Sequence, residues 1–153
     1  MNGEQAQHLI DTLDACGVKY LITVPATGLE AVFHHFETHE RCIYATREEE
    51  AVAIAAGLTL GGEKPIVMMA QAGVGNALNA VFTLADAYGV YFPILVCFRG
   101  KEDPNLVQRI SASQTHVVLE ALDCAEISWE HDASTQQFQN LIASKRRWIK
   151  CAI

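Results

Sequence analysis

The sequence predicts an α/β domain of three layers, doubly wound, with a mainly parallel sheet and helices on both faces. Three observations predict it. Short apolar or β-branched runs alternate strictly with segments of helical periodicity, the pattern of consecutive βαβ units. The two most apolar runs, residues 65–70 (PIVMMA) and 93–98 (PILVCF), are continuous rather than alternating, as strands are when helices cover both faces of their sheet. No repeat, Pro/Ser-rich linker or charge block interrupts the alternation, so residues 1–153 read as one domain.

Residues 4–16 carry Leu9, Leu13 and Cys16 at helical spacing, and Gly17 follows as a C-terminal cap. Residues 18–24 (VKYLITV) are β-branched and aromatic, hence a strand. Pro25-Ala26-Thr27-Gly28 is a turn. Residues 29–38 put Leu29, Val32, Phe33 and Phe36 on one helical face. A short strand is expected over 42–45 and a helix over 47–60, ended by Gly61-Gly62. Strand 65–70 leads through a loop, 71–75, to a helix over 76–87, and strand 93–98 leads into a polar loop over 99–112. A helix over 114–122 and a weak strand over 125–128 follow. Ser134 opens a final helix reaching Ile149, with Lys145-Arg146-Arg147 in its last turns complementing the helix dipole. Ligands of such folds sit outside the carboxyl ends of the strands, here at 25–27, 45–48, 71–76 and 99–101.

Hydrophobic residues make up 50% of the 153 and charged residues 19%, below the usual charged share of about 25%. This excludes disorder and a coiled coil, and implies a large core or an apolar surface that a partner covers. A net charge of −7 argues against binding to nucleic acid or an anionic membrane. No basic n-region opens the chain, and no apolar run reaches the roughly 18 residues of a spanning helix, so a cytoplasmic protein is expected. Five cysteines, odd in number and without a CxxC pair, read as reduced core thiols. His35 and His39 have the i,i+4 spacing of metal ligands but lack a third, so no metal site is expected.

Two features carry chemistry. Thr46-Arg47-Glu48-Glu49-Glu50 opens a helix that continues apolar or small on every side, so it is expected to be buried all round. Thr46 and Glu49 have capping-box spacing. That leaves Glu48 or Glu50, at the ligand edge of the sheet, as the carboxyl suited to sharing a proton. Gln71-Ala72-Gly73-Val74-Gly75-Asn76 joins a strand to a helix. It is not a dinucleotide fingerprint, because Leu78 stands where the third glycine belongs. Its glycines still permit close backbone approach, and Asn76 suits a cap.

Together these pieces resemble the pyrimidine-binding (Pyr) domain of thiamine-diphosphate enzymes. The shared pattern is Glu48-x-x-Ala51-x-x-x-Ala55-Ala56-Gly57, the strand PIVMMA, and Gln71-Ala72-Gly73-Val74-Gly75-Asn76-Ala77-x-Asn79. The turn Val24-Pro25-Ala26-Thr27 and the strand end from Pro93 to Gly100 are most similar to α-subunits or N-terminal halves of sulfopyruvate and phosphonopyruvate decarboxylases. The resemblance implies that Glu48 shares a proton with N1′ of the cofactor's aminopyrimidine. It implies cofactor contacts from Pro25, Gly73, Val74, Gly75 and Asn76, and substrate contacts from Thr27 and Arg99, whose guanidinium suits a sulfonate or phosphonate tail. The chain contains no GDG motif. The resemblance therefore implies a β-subunit whose PP domain, with GDG and a later Asn, holds the diphosphate and Mg2+. The assembly would be a higher hetero-oligomer, with a homo-oligomer for the chain alone.

Where those relatives carry an acidic residue in the VPDS turn, this chain has Ala26. Two further readings stay open: a carboligase subunit of acetolactate-synthase type, and a non-catalytic α/β binding module. Lys101, Arg109 and His116 are left as loop or rim residues.

Overall fold

The computed structural model describes residues 1–99, 103–127 and 133–152. Six strands, β1 (Tyr20–Thr23), β2 (Cys42–Tyr44), β3 (Pro65–Ala70), β4 (Ile94–Phe98), β5 (Ala125–Ile127) and β6 (Trp148–Ala152), form one sheet. Its order is β2-β1-β3-β4-β6-β5, and every pairing is parallel. The helices are α1 (Gly3–Ala15), α2 (Glu30–Thr38), α3 (Glu48–Leu60), α4 (Val74–Ala80), α5 (Leu106–Ala121) and α6 (Ala133–Ala143). A 3-10 turn, Gln71–Gly73, precedes α4, and a π-helical stretch, Val81–Asp86, continues it.

The strands divide their side chains between two cores, as a parallel sheet covered on both faces must. Ile66, Met68, Leu95 and Ile149 point to one face, against Leu9 and Leu13 of α1, Phe33 and Phe36 of α2 and Phe138 of α6. Val67, Met69, Val96 and Trp148 point to the other, against Val52 and Ala56 of α3, Ala77 of α4 and Leu119 of α5. This is the doubly wound architecture the apolar runs predict. No described helix is long and apolar enough to cross a membrane.

The ends of α1 follow local rules. Asn2 and Gln5 form a reciprocal capping box: Asn2 Oδ1 accepts the Gln5 N–H at 2.9 Å, and Gln5 Oε1 accepts the Asn2 N–H at 3.0 Å. Gly17, at φ +71°, supplies the left-handed residue that ends the helix.

Two expected boundaries are corrected. The second half of the polar loop expected over 99–112 is helix: α5 begins at Leu106 and runs to Ala121, and Asn105 caps it by accepting the Val107 N–H at 2.9 Å. Its apolar residues Leu106, Val107 and Ile110 face outward, and only Ala112 and Leu119 are buried, so no inward stripe marks the helix. The helix expected from Ser134 to Ile149 ends at Ala143. Lys145 then takes φ +57° and the chain turns into β6, which inserts between β4 and β5. Lys150 breaks the apolar run of β6, and its ammonium pairs with Glu126 at 3.0 Å. The strand expected over 125–128 is described as far as Ile127; Ser128 lies outside the described residues.

Arg147 anchors the start of β6 rather than complementing a helix dipole. Its Nη2 meets Asp86 Oδ1 at 2.9 Å and donates to the Val90 carbonyl at 2.8 Å. Its guanidinium also lies 5.0 Å from the Phe92 ring centroid, with the side chain 12% exposed. Arg147→Met is expected to lower stability by about 2–3 kcal/mol, because it leaves buried carbonyls without a donor. Urea unfolding of the two chains at one pH measures the difference.

Candidate active site

Four strand ends converge on one edge of the sheet: Thr23 of β1, Tyr44 of β2, Ala70 of β3 and Phe98 of β4. The three carboxylates that open α3 have separate fates there. Arg47, with extended backbone, is the N-cap residue. The expected Thr46–Glu49 box does not form. Instead Glu50 Oε2 accepts from the Thr46 hydroxyl at 2.6 Å and the Thr46 N–H at 2.7 Å. These two bonds, the hydroxyl's first, hold the exposed Glu50 carboxyl below the usual range. Glu49 turns back to the Arg47 guanidinium at 2.8 Å. Glu50 and Glu49 therefore shape the helix start.

Glu48 alone leans across to the next βα unit. Its Oε2 accepts from Asn76 Nδ2 at 2.9 Å, and Oε1 accepts no hydrogen bond from the described residues. Its carboxyl lies over the Cα of Gly73. A Cβ at position 73 would overlap Glu48 Oε1, Cδ and Cγ. Gly73 has an ordinary helical φ of −83°, so the glycine is there for space rather than for backbone conformation. The expected loop over 71–75 is itself helical, and Asn76 spends its side chain on Glu48 instead of capping. Gly75 is exposed with open space beside it, whereas the Val74 side chain is buried in the core, so only its backbone faces the site.

A second group of residues lines a cavity of about 120 Å3: Pro25, Ala26, Thr27, Ala70, Cys97, Arg99 and Gln108. Thr27 and Arg99 thus share one cavity, as the sequence places them at one sheet edge. Gln71 lies beside it, fully buried and fully satisfied. Its Nε2 donates to the Gln108 carbonyl at 2.8 Å, its Oε1 accepts the Arg99 N–H at 2.8 Å, and its carbonyl accepts from the Thr115 hydroxyl at 3.2 Å. Sequence reasoning named Gln71 in the glycine loop without a role of its own, and missed Asp103, whose carboxylate pairs with Arg99 Nε at 2.6 Å. A polar residue that closes an apolar strand, as Gln71 closes PIVMMA, was the available signal.

The remaining candidates lie elsewhere. Arg109 donates to the carbonyls of Asp103 and Pro104, and Lys101 is outside the described residues. His116 pairs with Glu120 at 3.3 Å on the rim. His35 pairs with Asp14 and His39 Nδ1 with the His35 carbonyl; no cluster of metal-ligating side chains occurs among the described residues. No disulfide joins the five cysteines among the described residues, and burial raises the Cys97 thiol well above its usual pKa.

The helix α3 is not buried all round. Glu50, Ala53, Gly57 and Leu60 form an exposed stripe at i, i+3, i+7 and i+10, with Leu60 74% exposed. Phe82 is exposed in the neighbouring π-helical stretch, at 47%. Their apolar character is that of a surface to be covered.

A glycine-cradled carboxyl stands at the edge of a doubly wound parallel sheet where α/β domains of this class bind their ligands. Residues 3–119 match the model of the thiamine pyrophosphate enzyme N-terminal TPP binding domain, and the chain belongs to that family. It is similar to the sulfopyruvate decarboxylase subunit alpha of Methanococcus maripaludis, 33% identical over 63% of this chain and 56% of that subunit. The protein of the same name from Methanocaldococcus jannaschii is 26% identical over 88% of this chain and 79% of that one. The chain thus spans little more than half the length of the first of these relatives. Among solved structures, benzoylformate decarboxylase from Polynucleobacter necessarius superposes with a TM-score of 0.65, covering 97% of this chain and 29% of that one at 19% identity, a likeness of fold.

Proposed function

We propose that residues 1–153 form a single Pyr domain, the α-subunit of a heteromeric thiamine-diphosphate-dependent 2-oxoacid decarboxylase, with sulfopyruvate as substrate and sulfoacetaldehyde and carbon dioxide as products. The observation that carries the reading is the glycine-cradled Glu48. One carboxyl oxygen is oriented by Asn76, the other is available, and no side chain at position 73 stands in front of it.

The residues fit the pyrimidine half of the cofactor. Glu48 would hold a proton at its free Oε1 against a ring nitrogen. The backbone at Gly73, Val74 and Gly75 and the turn at Pro25 would form the walls, and Asn76 would keep the carboxylate from rotating. Bound thiamine diphosphate supplies a carbon nucleophile and an electron sink for loss of carbon dioxide from a 2-oxo acid. The Arg99 guanidinium would orient an anionic substrate tail, with Thr27 adding a hydroxyl donor. Diphosphate and Mg2+ are assigned to a β-subunit whose PP domain carries GDG and a later Asn. That subunit would cover the α3 stripe and the rim at Gly75, forming a higher hetero-oligomer in the cytoplasm.

The test is reconstitution. This chain mixed with a GDG-bearing partner is expected to release carbon dioxide from sulfopyruvate, with dependence on thiamine diphosphate and Mg2+. The chain alone should show none. Cofactor-independent behaviour of the mixture, with no complex formed, would instead support a non-catalytic binding module.

One observation favours a second reaction. Ala26 forms part of the cavity wall, and none of the cavity's described lining residues is a carboxylate. Where an acid is needed to protonate the product carbon, its absence favours carboligation. Product analysis with pyruvate and an aldehyde separates the two: an acyloin product supports carboligation, and free aldehyde supports decarboxylation. Phosphonopyruvate is the alternative decarboxylation substrate.

A further inference from the structure

Arg99 is held from several sides. Its Nε lies 2.6 Å from Asp103 Oδ2 in an ion pair, and the Asp103 side chain is 4% exposed. Asp103 is fixed in turn, because its Oδ1 accepts the Asn105 N–H at 2.8 Å and its carbonyl accepts from Arg109 Nη1 at 2.8 Å. The Arg99 N–H is bound to the buried Gln71 side chain at 2.8 Å. None of these bonds uses the two Nη groups of Arg99, which have no hydrogen-bond partner among the described residues. In the same cavity wall, Gln108 Oε1 is buried without a partner. The Thr27 hydroxyl is a second donor on the wall. A cavity of about 120 Å3 takes a head group of a few heavy atoms.

The local charge is small. Among the described residues, Arg99 and Arg109, the latter bound to the Asp103 carbonyl rather than lining the cavity, each contribute one positive charge and Asp103 one negative, a net of one positive. Nearby charges are already matched: Lys150, over the Phe98 ring, pairs with Glu126, and His116 pairs with Glu120. A ligand with one negative charge is compensated. A second negative charge on a ligand at Arg99 would be opposed by the Asp103 carboxylate, 2.6 Å from Arg99 Nε, a repulsion worth on the order of tenfold in affinity even after screening.

We infer that Asp103 is a specificity-determining residue: by half-neutralising a rigid Arg99, it makes the cavity accept a monoanionic sulfonate head over a dianionic phosphonate. The inference rests on reading this cavity as the substrate-tail subsite.

The experiment titrates the chain with methanesulfonate and with methylphosphonate at about pH 8, where the phosphonate is chiefly a dianion. Binding is followed through the NMR signal of the Arg99 side-chain N–H. The wild-type chain is expected to bind methanesulfonate more tightly. Asp103→Asn should shift the affinity ratio toward methylphosphonate by on the order of tenfold, and Arg99→Gln should abolish binding of both. Should Asp103→Asn fail to fold, the wild-type ratio decides alone. Equal or tighter binding of the dianion by the wild-type chain overturns the inference, as does an Asp103→Asn ratio equal to that of wild type. Binding of neither anion removes the subsite and the inference with it. Anion binding as expected, in a chain whose reconstituted complex releases no carbon dioxide, leaves the inference standing and removes the decarboxylase reading.

Discussion

Glu48→Gln, assayed in the reconstituted complex, is expected to lower turnover by about 10²–10⁴-fold with little change in stability. The magnitude is that of losing a positioned proton-transfer group. Glutamine keeps the length of the side chain and an oxygen to accept from Asn76, so the local fold should survive. It cannot lose or share a proton at that oxygen. The measurements are steady-state carbon dioxide release and the thermal midpoint of each chain. Near-wild-type turnover would remove Glu48 from the role assigned to it. Glu50→Gln is the internal control, because Glu50 spends its carboxylate on Thr46; it should affect helix capping far more than rate.

The second large effect is expected from Gly73→Ala, a change of one methyl group. The new Cβ would occupy space now filled by the Glu48 carboxyl. Either the carboxyl swings away from Asn76 or the turn before α4 shifts, and forced repacking of this kind costs about 1–3 kcal/mol. Displacement of a catalytic group by about an ångström costs on the order of 100-fold in rate, so both stability and turnover should fall. The double variant Gly73→Ala/Glu48→Ala separates the causes. Removing the carboxyl relieves the clash, so stability should recover while turnover stays low. A Gly73→Ala chain with wild-type turnover would show that the carboxyl is not confined by this glycine.

Much of this was legible in the residues, for reasons that differ by element. The runs PIVMMA and PILVCF reveal doubly covered strands because both faces of each are apolar. Glu48 was legible as one of two candidates, since a carboxylate at the start of an apolar helix has few structural uses. Choosing it over Glu50 on geometry needed coordinates, because Thr46 bonds to the fourth residue on and not the third. The strand β6 was hidden by Lys150, which reads as a polar break until its pairing with Glu126 is seen. Only the first half of α5 was hidden, because its apolar residues Leu106, Val107 and Ile110 face solvent, whereas the expected helix over 114–122 coincides with its second half. Gln71 and Asp103 act through bonds to residues distant in the chain or to backbone, and no periodicity reports such partners. The bare stripe on α3 looked like core because a surface meant to be covered has the composition of an interior.

The place of β6 in the sheet has a consequence for how the chain is made. It pairs with β4 on one side and β5 on the other, yet it follows both in sequence. As the polypeptide is synthesised, β1 to β4 can assemble in order, but the edge of β4 remains an unpaired, apolar template until residues 148–152 emerge. Nascent chains of intermediate length therefore expose an adhesive border that the finished protein conceals. Rapid completion, or a chaperone on that border, would shorten that exposure.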